Sequence, residues 1–194
     1  MPWRTTRDPY RIWISEIMLQ QTRVAAVLPY YERFLKRFPD VEALARAKSE
    51  SVLAMWAGLG YYSRAKNLHA AAKQITERHG SKFPRERAVA LELAGIGDYT
   101  SAAILSIAYG AQHAALDGNV ARVLARLGAI RGDLRVPRRW KQLSIAADLL
   151  LARRAAGDWN QAMMELGAIV CTPRAPRCAA CPIAKYCRAN ALGL

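Results

Sequence analysis

The chain is 194 residues long, room for one large domain or two small ones. Lys and Arg number 29 against 15 Asp and Glu, a net charge of +14, and 53% of the residues are hydrophobic, ample for a real core. No apolar run reaches the ~18 residues of a membrane-spanning helix, and Met1-Pro2-Trp3-Arg4 opens without a secretory leader. The composition therefore excludes a membrane partner, and an intracellular, cytoplasmic protein is expected. A balance this basic favours a polyanion such as nucleic acid, the plainer alternative being an ordinary basic surface.

In chain order the pattern is helical almost throughout, with no convincing alternating strand. Pro39 marks a first break. Ser49 suits the N-cap of a helix over Glu50–Ala57. Ala65, Leu68, Ala72 and Ile75 draw an apolar stripe closed by Gly80. Pro84 breaks the chain again, and Gly110 ends the run Thr100–Tyr109. A helical run over Val120–Leu127 is followed by a loose connection, Gly128–Pro137. Two further stripes follow: Trp140, Leu143, Ala147 and Leu150, then Trp159, Met163, Leu166 and Val170. All the stripes read as core. His69, His79 and His113 stand apart without motif context and read as surface or capping groups. No repeat, Ser-His-Asp triad or phosphate-binding P-loop is present.

Two segments carry chemistry. Leu93-Ala94-Gly95-Ile96-Gly97-Asp98-Tyr99-Thr100 separates two helical stretches. Two glycines around one apolar residue permit a tight turn with positive φ. The helix that follows points its free N–H groups outward and can hold a phosphate without reading sequence. A plain αα-hairpin is the alternative. The second segment holds every cysteine in the chain, Cys171, Cys178, Cys181 and Cys187, spaced C-x6-C-x2-C-x5-C. Four soft ligands in one short stretch point to a metal or an iron–sulfur cluster. Two disulfides, or four buried thiols, are the bland alternatives. Disulfides need an oxidising compartment, and a zinc site usually repeats a C-x-x-C pair that occurs here once.

A helix–hairpin–helix with four terminal cysteines at this spacing resembles the endonuclease III superfamily of DNA glycosylases. Within it the chain is most similar to the adenine-specific branch, the MutY type. The matching stretches are Pro2-Trp3-Arg4, Ser15-Glu16-Ile17-Met18-Leu19-Gln20-Gln21-Thr22, Gly58-Leu59-Gly60-Tyr61-Tyr62, the hairpin, Leu116-Asp117-Gly118-Asn119-Val120, Asn160-Gln161-Ala162-Met163 and the cysteine box. They run in family order along essentially the whole chain. The resemblance implies an all-α fold in two lobes. Residues 2–109 would form a six-helix barrel bearing the hairpin at about 93–100, residues 110–194 the iron–sulfur lobe, with the active site in the cleft between them. It further implies a [4Fe–4S] cluster on Cys171, Cys178, Cys181 and Cys187. The expected partner is double-stranded DNA containing A:8-oxoG or A:G mispairs, met by a monomer.

Cutting a purine's N-glycosidic bond requires protonation of the departing base and stabilisation of the sugar cation, work for two carboxyl groups in different protonation states. Glu16 lies among Trp13, Ile14, Ile17, Met18 and Leu19, a setting that disfavours the charged form and suits a general acid. Asp117 precedes the helical run from Val120, a position that favours the ionised form and suits an electrostatic partner. By pattern alone Glu16 is as well an exposed helix position and Asp117 a simple N-cap; the resemblance assigns both to catalysis. It adds Tyr99 and Asn119 as supports of the same site, Arg4 beside the adenine pocket, Gln21 and Tyr61 as wedges in the duplex, Leu59 beside the opposite base, and Gly95 and Gly97 on the backbone. The target must leave the stack, so base flipping is implied. Strand-cutting members carry a lysine where Tyr99 stands, so a monofunctional enzyme that leaves the abasic site intact is expected.

Three departures matter. Such enzymes carry a C-terminal domain that helps recognise 8-oxoguanine, whereas this sequence stops just after the cysteine box, so weaker discrimination for the oxidised partner is expected. The family usually has a further helix before Pro-Trp-Arg, and without it apolar surface on the cluster lobe is expected to be exposed. Ala94 and Asp98 replace a common proline and basic residue, and Asp98 should repel a phosphate. Two other readings are a thymine or uracil mismatch glycosylase and a truncated, non-catalytic DNA-binding module.

Overall fold

The computed structural model describes all 194 residues and is entirely helical, with no strand. No helix is long and apolar enough to cross a membrane. The chain divides into two compact units, Met1–Tyr109 and Gly110–Leu194.

Unit one holds seven α-helices: α1 (Pro9–Leu19), α2 (Val24–Arg37), α3 (Val41–Arg46), α4 (Ser49–Trp56), α5 (Ser63–Arg78), α6 (Arg87–Leu91) and α7 (Asp98–Tyr109). Asp8 starts α1 by accepting from the Tyr10 N–H, with Pro9 at the first helical position, where its missing donor costs nothing. Every residue from Ile12 to Met18 is buried, so α1 is a central helix rather than an amphipathic surface one. It packs against α7, α2 and α5. An aromatic cluster fills the interior, with Phe34 against Phe38 at 4.9 Å and against Trp56 at 6.1 Å. Helix α7 is equally sunken, with Thr100 to Ile107 all buried.

Unit two holds α8 (Gly118–Leu127), α9 (Pro137–Leu150), α10 (Ala156–Glu165) and the short α11 (Arg188–Ala191). A π-helical turn, Leu166–Val170, continues α10 into Cys171. The loose connection expected at Gly128–Pro137 is an irregular segment, and Pro137 opens α9.

Several local expectations are corrected. Ser49 is the first residue of α4 rather than its cap, and its hydroxyl lies 3.4 Å from His69 Nδ1. His69 is a buried residue, not a surface one; burial, and then the charge of Lys73, push its imidazole below the usual range. The stripe on α9, expected to be core throughout, buries Leu143 and Ala147 but leaves Trp140 and Leu150 exposed beside Ile145 and Leu149. On α10 the buried line runs through Ala156, Asn160 and Met163, so a polar residue takes a core position.

Candidate active site and cluster loop

Two carboxyl groups are each held by a defined partner, one in each unit. In unit one, Glu16 sits on the buried side of α1 with 5% of its surface exposed. The Tyr99 hydroxyl, from the first turn of α7, donates to Glu16 Oε2 at 2.9 Å. The apolar neighbours of α1 disfavour a bare charge, and a hydrogen bond offsets part of that cost. The exposed-helix reading of Glu16 is thereby excluded. At the C-cap of the same helix, Gln20 Nε2 donates to Thr100 Oγ1 at 3.3 Å.

The hairpin lies between α6 and α7. Gly95 has φ +76°, and a Cβ there would stand 2.8 Å from the Cβ of Asn67, so both conformation and space demand glycine. Gly97 is different: its φ is not positive and no atom stands near its missing side chain. Its carbonyl accepts from the Ser101 N–H and starts α7. The open side of Gly97 leaves the backbone approachable. Asp98 is paired by Arg87, whose Nη2 donates to Asp98 Oδ1 at 2.8 Å. The expected repulsion of a phosphate is thus balanced by a cation on the preceding helix.

In unit two, Asp117 is the N-cap of α8: its Oδ1 accepts from the Val120 N–H at 2.7 Å. Its Oδ2 accepts from Asn119 Nδ2 at 3.0 Å. The cap and the candidate functional carboxylate are one group, with two donors fixing its orientation. Asn119 is fixed in turn by Arg122, whose Nη2 donates to Asn119 Oδ1 at 2.8 Å and to the Gly167 carbonyl at 2.8 Å. Arg122 Nε donates to the Cys171 carbonyl at 2.8 Å. A continuous run of bonds therefore joins Asp117 to the first cysteine. Gly167 makes this approach possible, since a Cβ there would lie within 2.7–2.9 Å of Asn119 atoms. Arg122 and Gly167 were not singled out from the sequence, and Asn160 entered only within a stretch matched to the family. Asn160 accepts from the Ala115 N–H at 2.9 Å and donates to the His113 carbonyl at 2.8 Å, bracing the segment that leads to Asp117.

The four cysteines are free thiols, which removes the disulfide reading. All four line one pocket with Arg126, Pro176, Arg177 and Asn190. Arg126 Nη1 donates to Cys171 Sγ at 3.3 Å. The sulfurs share a wall, yet no three metal-binding side chains close on a single ion. A tetrahedral zinc site would draw its sulfurs to about 2.3 Å from one centre, so a larger multi-iron group fits this donor set better. Arg174, Arg177, Lys185 and Arg188 are exposed around it.

The other expected contacts fall on two turns of unit one. Gln21 and Tyr61 are exposed and lie in the left-handed region, at φ 57° and 48°. Leu59 is 7% exposed and packs beneath its turn, so a contact with a base is not open to it as placed. Arg4 is half-buried in the opening 3-10 turn. A cavity of about 570 Å³ lined by Asp8, Trp13, Asp40, Phe83 and Tyr109 involves none of these residues.

An all-helical chain with this hairpin, a buried carboxyl and a four-cysteine loop has the make-up of a helix–hairpin–helix DNA repair protein. The comparisons agree. The model of the HhH-GPD superfamily base excision DNA repair proteins matches residues 14–144, and the chain belongs to that family. Residues 171–187 match the iron–sulfur binding domain of endonuclease III, and the cofactor is a [4Fe–4S] cluster. The chain is 44% identical to the human adenine DNA glycosylase over 98% of its own length and 36% of that protein's. It is 39% identical to the adenine DNA glycosylase of Buchnera aphidicola subsp. Schizaphis graminum, over 96% and 54%. It thus spans about half, or less, of the curated relatives it matches. Among solved structures, a thermostable thymine-DNA glycosylase superposes with TM-score 0.89 at 31% identity, covering 99% of this chain and 88% of that one. A trapped endonuclease III–DNA intermediate superposes at 0.82 with 22% identity, a likeness of fold.

Proposed function

We propose that the chain is the catalytic region of an adenine DNA glycosylase, removing adenine mispaired with 8-oxoguanine or guanine by hydrolysis of the N-glycosidic bond. The observation that carries this reading is the buried Glu16 held by Tyr99: an acid sunk among apolar side chains, which disfavour its charged form, and oriented by a phenol is fitted to deliver a proton. Glu16 protonates the extruded adenine at N7 and helps activate water. Asp117, steadied by Asn119 and the α8 amide, stabilises the oxocarbenium-like sugar. Gln21 and Tyr61 fill the gap the extruded nucleotide leaves, Arg4 flanks the base, and the Gly95–Gly97 turn holds a phosphate. Tyr99 has no amine with which to form a Schiff base, so the abasic site is left intact.

Cys171, Cys178, Cys181 and Cys187 hold the cluster, whose contribution is structural and electrostatic: it fixes the loop bearing Arg174 and Arg177 for contact with phosphates. The high identity to the adenine-specific relatives supports adenine as the base.

A second reading, a thymine or uracil mismatch glycosylase, is favoured by the superposition on the thymine-DNA glycosylase. Base release from A:8-oxoG, A:G, T:G and U:G duplexes by the cluster-loaded protein separates the two. Adenine release from the first pair of duplexes, with no amine-linked adduct trapped by borohydride, is expected. Release of thymine or uracil alone would replace the proposal with the second reading, and binding without release would leave a DNA-binding module.

A further inference from the structure

One buried cation in unit one has no carboxylate partner and no place in the chemistry above. Arg64, in the first turn of α5, is 7% exposed. Its Nη1 reaches the carbonyl oxygens of Ile17, Met18 and Gln20 at 3.0, 2.8 and 2.6 Å. Its Nη2 reaches Thr22 Oγ1 at 3.2 Å and the carbonyls of Leu59 and Gly60 at 3.3 and 3.2 Å. The guanidinium also lies over the rings of Trp56 and Tyr61, at 5.3 and 5.5 Å. Burying a cation is costly, and the six acceptors around Nη1 and Nη2 offset it, although Nε is buried without a partner. The first three are carbonyls at the C-terminal end of α1, which lack partners within the helix and carry its negative dipole end. The last two belong to the turn before α5.

The two segments joined by this guanidinium share a property. Each presents an exposed non-glycine residue in the left-handed region, Gln21 in one and Tyr61 in the other, two of only four such residues in the chain. Left-handed backbone costs about 1–2 kcal/mol at such a residue and persists only where the surroundings hold it. The segment holding Gln21 follows directly from α1, the helix that carries Glu16.

We propose that Arg64 is a positioning residue: it locks Gln21 and Tyr61 into one rigid wedge and fixes that wedge relative to Glu16. This rests on the reading that the chain extrudes a nucleotide. Arg64 then governs the extrusion step and leaves the bond-breaking step to Glu16 and Asp117.

Arg64→Lys keeps the charge but replaces the planar fork by a point donor on a flexible stem, unable to span six acceptors. Thr22→Val removes one acceptor of Arg64, together with the Thr22 Oγ1 donation to the Gln20 carbonyl at 3.3 Å, without touching the arginine. Three readouts separate positioning from general damage. Amide hydrogen exchange is expected to quicken at both 19–22 and 58–62 in each variant, although Thr22 lies in only one segment, with the rest of unit one unchanged. The fluorescence rise of 2-aminopurine at the target position is expected to be lost in Arg64→Lys. Single-turnover excision should fall about tenfold or more on a paired target, and within about threefold on a target already unstacked opposite a gap. Exchange that stays at the wild-type rate in either segment, or an equal fall on both substrates, overturns the proposal. Wild-type protein that releases no base from any duplex defeats the glycosylase reading instead, and the exchange result still decides the role of Arg64.

Discussion

A phenol and a carboxyl group share a hydrogen bond in the buried interior of unit one, and that contact sets the residue-scale expectation. Tyr99→Phe keeps the ring and removes the donor to Glu16 Oε2. Leaving a buried acceptor short of its partner costs about 1–3 kcal/mol, so single-turnover adenine excision should fall about tenfold to a hundredfold while duplex affinity stays within about twofold. An unchanged rate would remove Tyr99 from the site. The sequence marked Tyr99 only through a resemblance, because a tyrosine after a glycine turn has many uses. The atom it serves is known once α1 and α7 are packed together. The same holds for Gln21 and Tyr61. Their residue types were legible, but their left-handed backbone was not, since neither type demands it.

At the scale of elements, the meeting of α8 with the π-helical turn after α10 leaves no room for a side chain at Gly167. A π turn spaces its residues differently from an α-helix, and here it sets Gly167 against Asn119 and brings its carbonyl to Arg122. Gly167→Ala must push Asn119 aside, a strain of about 1–3 kcal/mol. Lower thermal stability and a loss of excision beyond that of a surface Gly→Ala control are expected, checked by a melting curve and a single-turnover assay. Retention of both would show that this contact is slack. Helical periodicity found the elements, but it could not reveal a π turn or which side of α9 stays open. Trp140 and Leu150 fitted the stripe by spacing and are nevertheless exposed. Asp117 shows the converse: N-cap and candidate functional anion are alternatives by pattern, and one carboxylate makes the cap bond with one oxygen while Asn119 holds the other.

For the whole molecule, the surplus of cations bears on the partner. A net charge of +14 leaves far more positive than negative groups facing solvent, and a protein that neutralises phosphates releases counterions from DNA. Affinity for undamaged duplex is expected to fall about a hundredfold between about 50 and 200 mM salt, a response to about four phosphate contacts. A flat response in a fluorescence-anisotropy titration would argue against a backbone-gripping surface. Local pairing tempers the field, since Arg87 balances Asp98 at the hairpin.

What the sequence determined by itself was composition-level and local: a helical chain, a basic surface, a glycine turn ahead of a helix, and four cysteines in one loop. These follow from charge, periodicity and spacing, which neighbouring residues set between them. Tertiary structure alone decided that Glu16 is buried and bonded to a residue 83 positions away, that Arg122 ties Asn119 to the cysteine loop, and that Arg64 stitches two strained turns together. Such contacts depend on which faces meet when helices far apart in sequence pack, and the order of residues along one helix does not state that.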